Sequence, residues 1–181
     1  MKKFELTNEF ITNMFGTKLF RIRALVEFGD VEAGELGGYV EKESNLGHDD
    51  NAWVYDNAWV YDNAWVYGDA QVSGDARVYG NARVYGNAWV YGNALVCSDE
   101  DYAYAHGFGS VNRTTTFFRL KDGGVGVRCG CFYGTLAQFR DKIRETHGET
   151  KKAQEYLMLA DLMELRFEED ENEVGNRKYV E

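Results

Sequence analysis

The chain has 181 residues, 44% of them hydrophobic, and its 30 acidic and 20 basic side chains give a formal charge of −10. That apolar content can build a real core in one or two domains. No segment is net basic, so direct nucleic-acid binding is not expected, whereas contact with a basic protein surface stays open.

The N-terminus, MKKFELTNEF, lacks the apolar core of a signal peptide, and no apolar run is long enough to span a membrane. Three cysteines, an odd number, accompany it. Together these predict free thiols in a reducing, cytoplasmic compartment. Proline is absent, so loops are punctuated by Gly, Asn and Asp. Residues 1–21 read as cap strands around a turn at Gly16, and KLFRIRALV as a strand leading inward. In FGDVEAGELGGYV, Val31 and Leu36 are expected to line a core, followed by Val40 with Gly38 as its small partner. Leu46 follows with Ser44 in the small role. Val54 then stands eight residues on instead of six, which places two extra residues in the corner Gly47-His48-Asp49-Asp50.

From Asn51 to Ser98 the chain repeats a six-residue phrase eight times. Ala and Val stand at i and i+2, so a strand points both to one side. A corner of Asp-Asn, Gly-Asp or Gly-Asn follows. Hairpins with two-residue loops would scatter the Ala and Val columns over both faces. A parallel β-helix keeps them together: each corner turns the chain by about 120°, and three hexads close one coil with every Ala and Val inward. Period and β-branched content exclude α-helix. Gly, Asn and Asp suit corners that need positive φ. Stacking puts Asn51 over Asp69 and Asn57 over Asp75, which allows side-chain ladders. About four coils are expected, within a β-helix over residues 22–98.

Residues 99–110 read as a linker. NRTTTFFRL and VGVRCGC read as two strands about a turn at Lys121-Asp122-Gly123-Gly124. Thr135 is an N-cap for LAQFRDKIRETH, closed by Gly148. A second helix over residues 151–167 is apolar on much of its circumference, which predicts burial on more than one side. Residues 111–167 thus form a ββαα domain, and 168–181 an acidic tail read as disordered.

The phrase Val78-Tyr79-Gly80-Asn81-Ala82-Arg83 resembles the hexapeptide repeat of left-handed β-helix proteins, which implies a left-handed coil. The N-terminal phrase LFRIRALVEFGDVEAGELGGYV, and Cys129-Gly130-Cys131-Phe132-Tyr133-Gly134-Thr135-Leu136 with Thr146-His147-Gly148, resemble hexapeptide-repeat proteins encoded by bacteriophages and prophages. Many hexapeptide-repeat proteins are trimeric acyltransferases with a catalytic His between subunits. By that resemblance His48, beside Asp49 and Asp50, is the catalytic candidate, although an exposed turn histidine is the plainer reading. Cys129 and Cys131 are the metal candidates, with His106 and Cys97 as possible neighbours, although a C-x-C pair on a strand also describes structural thiols. No cofactor is implied.

The outward columns of the coils carry Trp53, Gln71 and Trp89; Trp59, Arg77 and Leu95; and Trp65 and Arg83. All four tryptophans of the chain are therefore expected to point away from the core, with Tyr61, Tyr79 and the other repeat tyrosines, and Trp65 is expected to meet Arg83 as a cation–π pair. Apolar surface of that extent seldom stays bare. The candidate binding residues are Trp53, Trp59, Trp65, Trp89, Arg77, Arg83, Tyr61 and Tyr79, with the arginines reading acidic or phosphate groups. The expected function is non-enzymatic binding by a homo-oligomer, a trimer by resemblance, that occupies a host component: a defence protein or its nucleotide signal. The alternatives are an acyltransferase-like enzyme and a structural particle component.

Overall fold

The computed structural model describes residues 1–109 and 111–168. Residues 169–181, the bulk of the expected acidic tail, lie outside the described residues. The chain opens with an antiparallel hairpin, β1 (Phe4–Thr12) and β2 (Lys18–Ala24), and continues into β3 (Leu36–Val40). Eight two-residue strands follow, one per hexad: β4 (Trp53–Val54), β5 (Trp59–Val60), β6 (Trp65–Val66), β7 (Gln71–Val72), β8 (Arg77–Val78), β9 (Arg83–Val84), β10 (Trp89–Val90) and β11 (Leu95–Val96). Each pairs in parallel with the strand three hexads away, so Val54 stacks on Val72 and Val72 on Val90. This is a parallel β-helix, as the phrase predicts. One face carries four rungs, β3-β5-β8-β11; the others carry three, β4-β7-β10 and Leu46 with β6-β9. The expected four coils are therefore reached on one face only.

The slip of register is visible in the pairing. Val40 stands opposite Val60 and Leu46 opposite Val66, whereas later partners are one 18-residue coil apart. The extra pair of residues lies before β4. Every Ala and Val of the repeat is buried, in one core with Phe4, Ile22, Val31, Val40 and Leu46. Each buried valine contributes about 1.5–3 kcal/mol over an exposed one. Leu36 departs from expectation: it faces solvent, and Gly37 and Gly38 approach the first coil instead. A Cβ on Gly38 would stand 2.6 Å from the Ala58 carbonyl oxygen and 2.8 Å from Val54 Cγ1.

The first residue of each corner takes positive φ. Glycine does so in the later hexads, but Asp56 and Asp62 do so at φ 53° and 57°. Their carboxylates accept the amide N–H of Gly74 and Gly80 in the next coil, at 3.0 and 3.3 Å, which offsets the strain. The expected ladder forms from Asn51 to Asp69 at 2.8 Å.

The stack is closed at both ends. The N-terminal hairpin extends the four-rung face into a six-stranded sheet. At the other end the sequence reading needs correction. Much of the expected linker is strand: Tyr102–Phe108 forms β12, the first strand of a four-stranded antiparallel sheet, β12-β13-β14-β15, with β13 (Arg113–Arg119), β14 (Val125–Cys129) and β15 (Phe132–Thr135). Helices α1 (Leu136–His147) and α2 (Lys151–Phe167) complete a ββββαα unit. Thr135 caps α1 by accepting the Gln138 N–H at 3.3 Å, and Gly148 ends it at φ 58°. Alternation along β13 sends Phe118 into the solenoid core and Phe117 into the core beneath the helices. The sheet is thus a shared wall. Asp101 and Arg119, both buried, join at 3.3 Å, while Asp101 Oδ2 also accepts the N–H groups of Cys97 and Ser98 at 3.0 Å.

Candidate binding face

The residue before each valine points out of the coil, and its neighbours on the outside decide what it is worth. The three faces have different fates. On β4-β7-β10, Trp53 is 0% exposed, wedged edge-on against Phe28 at 5.3 Å and Phe4 at 6.2 Å. Trp89 donates its ring N–H to Ser73 Oγ at 3.0 Å and its backbone N–H to Thr116 Oγ1 at 2.9 Å. The Arg128 guanidinium lies over its ring at 4.0 Å. These two tryptophans, expected on a contact surface, hold the caps onto the solenoid instead.

On the four-rung face, Arg77 lies over Trp59 at 4.5 Å, and Tyr61 stacks on Tyr79 at 5.2 Å. Leu19 and Tyr39 of the N-terminal strands pack on Tyr61, and Met14 and Phe15 at the hairpin tip line a crevice with Trp59 and Arg77. Burial pushes the Tyr61 phenol up to about 12 and raises that of Tyr79 as well. Trp59, Tyr61, Tyr79 and Arg77 are therefore mostly engaged within the chain.

The face of β6 and β9 differs. Trp65 is 43% exposed and stacks on Tyr67 at 4.0 Å. Tyr67 stacks on Tyr85, one coil below, at 5.4 Å, and Tyr85 is 41% exposed. Tyr104, from β12, meets Tyr85 edge-on at 6.2 Å and reaches over Gly86, where a Cβ would collide with its hydroxyl. Rungs set the spacing: strands about 4.8 Å apart place successive rings in van der Waals contact. The expected Trp65–Arg83 pair is opposed in register, but the guanidinium turns to Asp99, with Nε to Oδ2 at 3.0 Å. The Arg83 backbone N–H also donates to Asp99 Oδ1 at 2.7 Å. The face is aromatic with its nearest cation neutralised. Tyr85 and Tyr67 belong to it and were missing from the candidate set, although the 18-residue spacing from Tyr67 to Tyr85 was a signal. Nothing in the sequence marked Asp99 or Tyr104.

The remaining candidates lie elsewhere. His48 stacks on Phe4 at 4.5 Å, and its Nδ1 accepts the Lys3 backbone N–H at 3.2 Å. It helps seat the first strand. Lys3 Nζ donates to the Ala52 carbonyl at 2.9 Å, and burial holds that amine down at about 8. Cys129 Sγ accepts from Thr115 Oγ1 at 3.2 Å, and Cys131 is exposed. Cys97 Sγ lies 3.0 Å from Asp101 Oδ2, and His106 bonds Thr114 at 2.9 Å, so these four residues do not converge. Among the described residues no group of three or more His, Cys, Asp or Glu is placed to hold a metal ion. No helix among them is long and apolar enough to cross a membrane.

Comparison with known families agrees with the repeat. A family model described as the YdcK beta solenoid repeat matches residues 70–86, 76–92 and 82–98. The windows step by one hexad, and each covers nearly one coil. They leave the capping hairpin and the ββββαα unit unmatched. No curated protein matches the chain.

Proposed function

We propose that this protein is a non-enzymatic binding module whose third solenoid face engages a partner protein. The observation that carries the reading is the unequal covering of the faces: two are largely occupied by the chain's own caps, while on the third Trp65 and Tyr85 stay exposed, each stacked on the half-buried Tyr67. Rigid aromatic anchors of this kind dominate interface energetics. The rings stand on the outside of a coil, which suits a protein surface better than a small nucleotide, since small ligands bind in concavities. The neutralised Arg83 supports an apolar partner patch over a phosphate group. The likeness to left-handed hexapeptide-repeat proteins of phages and prophages supports a host protein as the target, met in the host cytoplasm. It also supports a trimer. The exposed stripe Met158, Leu162 and Leu165 on α2, which was expected to be buried, supports self-association.

The acyltransferase alternative would rest on His48, and the ring stacking and Lys3 contact described above favour a structural use of that side chain. The test uses the 181-residue chain, its Trp65→Ala and Tyr85→Ala variants, and a Met158→Ser variant on α2. Proteins retained from host lysate are identified by mass spectrometry, and the affinity for the retained protein is then measured with purified components. Each aromatic variant is expected to weaken binding by at least about 2 kcal/mol, roughly 30-fold, with the fold unchanged. A partner that binds both aromatic variants as tightly as the parent would refute the assignment of this face.

A further inference from the structure

Beyond the solenoid face, the ββββαα unit contains a pocket of about 270 Å³ between the end of its sheet and α1 and α2. Phe132, Phe139 and Ile143 form its apolar floor. Tyr156 and His147 close one side with their rings stacked, centroids 5.9 Å apart. The Tyr156 hydroxyl is already used, donating to the Phe108 carbonyl at 3.3 Å. Two fixed cations, Arg113 and Lys142, stand at the rim, and none of the lining residues is acidic. In a chain of charge −10 that local balance is the reverse of the whole.

The rim is built for the guanidinium. Gly130, at φ 59°, forms the turn between β14 and β15, and a Cβ there would collide with Arg113 Nη1. Among the described residues Lys142 pairs at 2.7 Å with Glu145, one helical turn on, and both side chains are exposed. Such a pair is worth little and gives way readily to a stronger anion. The volume lies just under the usual range for ligand pockets, which limits the occupant to about one ring and a head group.

We infer that this pocket is a second binding site, for a small ligand with an aromatic body and an anionic head group. The ring lies on Phe132, Phe139 and the Tyr156–His147 pair. The head group meets Arg113 and Lys142, with Cys131 at the opening. The site is independent of the solenoid face and stands or falls separately from it.

Phenyl phosphate is a probe of this class, with benzyl alcohol as its uncharged counterpart and inorganic phosphate as the head group alone. The three histidines of the 181-residue chain are His48, His106 and His147, and of these His147 lines the pocket. Imidazole NMR resonances therefore report the site against two internal controls. Phenyl phosphate is expected to shift the His147 signals saturably and to slow alkylation of Cys131. Arg113→Gln and Lys142→Gln should each weaken the binding about tenfold, and both counterpart ligands should bind less well. Both variants are exposed substitutions, and the His48 and His106 signals verify their fold. The inference is overturned by an unresponsive His147 or by three imidazoles drifting together. It is equally overturned by undiminished binding to both variants, or by a counterpart ligand that binds as tightly as phenyl phosphate.

Discussion

Val78→Ala tests the load carried by the valine columns. Val78 is fully buried between Val60 above and Val96 below. Its carbonyl accepts the Tyr61 N–H at 3.1 Å, so the backbone around it is fixed by the ladder. The change removes two methyl groups, at about 0.8 kcal/mol each in transfer free energy. The hole left is roughly 50 Å³, which adds about 1 kcal/mol at about 24 cal/mol per Å³. Val60 and Val96 are β-branched and stiff, and their rungs are held at the β-strand spacing, so the hole does not collapse. The expected loss is about 2–3 kcal/mol, read as a lower urea midpoint at unchanged slope. Val111→Ala, at a position 58% exposed, is the control and should cost under about 0.5 kcal/mol. A Val78→Ala loss as small as the control's would refute the reasoning that coil-to-coil packing of valines holds the solenoid together.

Asp101→Ala removes the carboxylate that buried Arg119 meets at 3.3 Å and that accepts the Cys97 and Ser98 amide N–H groups. It should cost about 3–5 kcal/mol in chemical denaturation, and limited proteolysis should release the C-terminal unit first. Thr135→Ala removes the cap of α1 and should cost about 1 kcal/mol, measured the same way, with the solenoid signal unaffected. The phenols of Tyr61 and Tyr156 titrate at about 12 in the folded chain because burial disfavours the phenolate, against 10.0 for a free tyrosine. Their contribution is complete below pH 10 and is lost as pH rises towards 12, so urea midpoints should fall over that window as phenolate absorbance grows. Lys3 acts in the opposite sense: its folded value of about 8 lies below 10.5, so its contribution is present above pH 10.5 and lost as pH falls through 8, and Lys3→Met should abolish that rise.

What the sequence determined by itself was whatever repeats or is local. Ala and Val at i and i+2 with corners every six residues admit one economical arrangement, and the structure adopts it from Val40 to Val96. Thr135, Gly148 and the two helices were legible because caps and a 3.6-residue period act within one turn. The slip before Val54 was legible because the period is strict enough for an eight-residue step to show. Tertiary structure alone decided which outward positions are surface. Trp53 and Trp65 occupy the same place in the same phrase. One is sealed by Phe4 and Phe28, which lie tens of residues away in the chain; the other stacks on Tyr67 of its own hexad and stays 43% exposed. Strand β12 was missed for a related reason. YAYAHGF becomes a strand because β13 pairs with it and because Tyr102 and Tyr104 dock on the last coil. Arg83 pairs with Asp99, and Arg113 rests over Gly130, only after the C-terminal unit closes the stack. A repeat specifies its inside through nearest neighbours one coil apart, but its outside is specified by whatever distant segments fold back upon it.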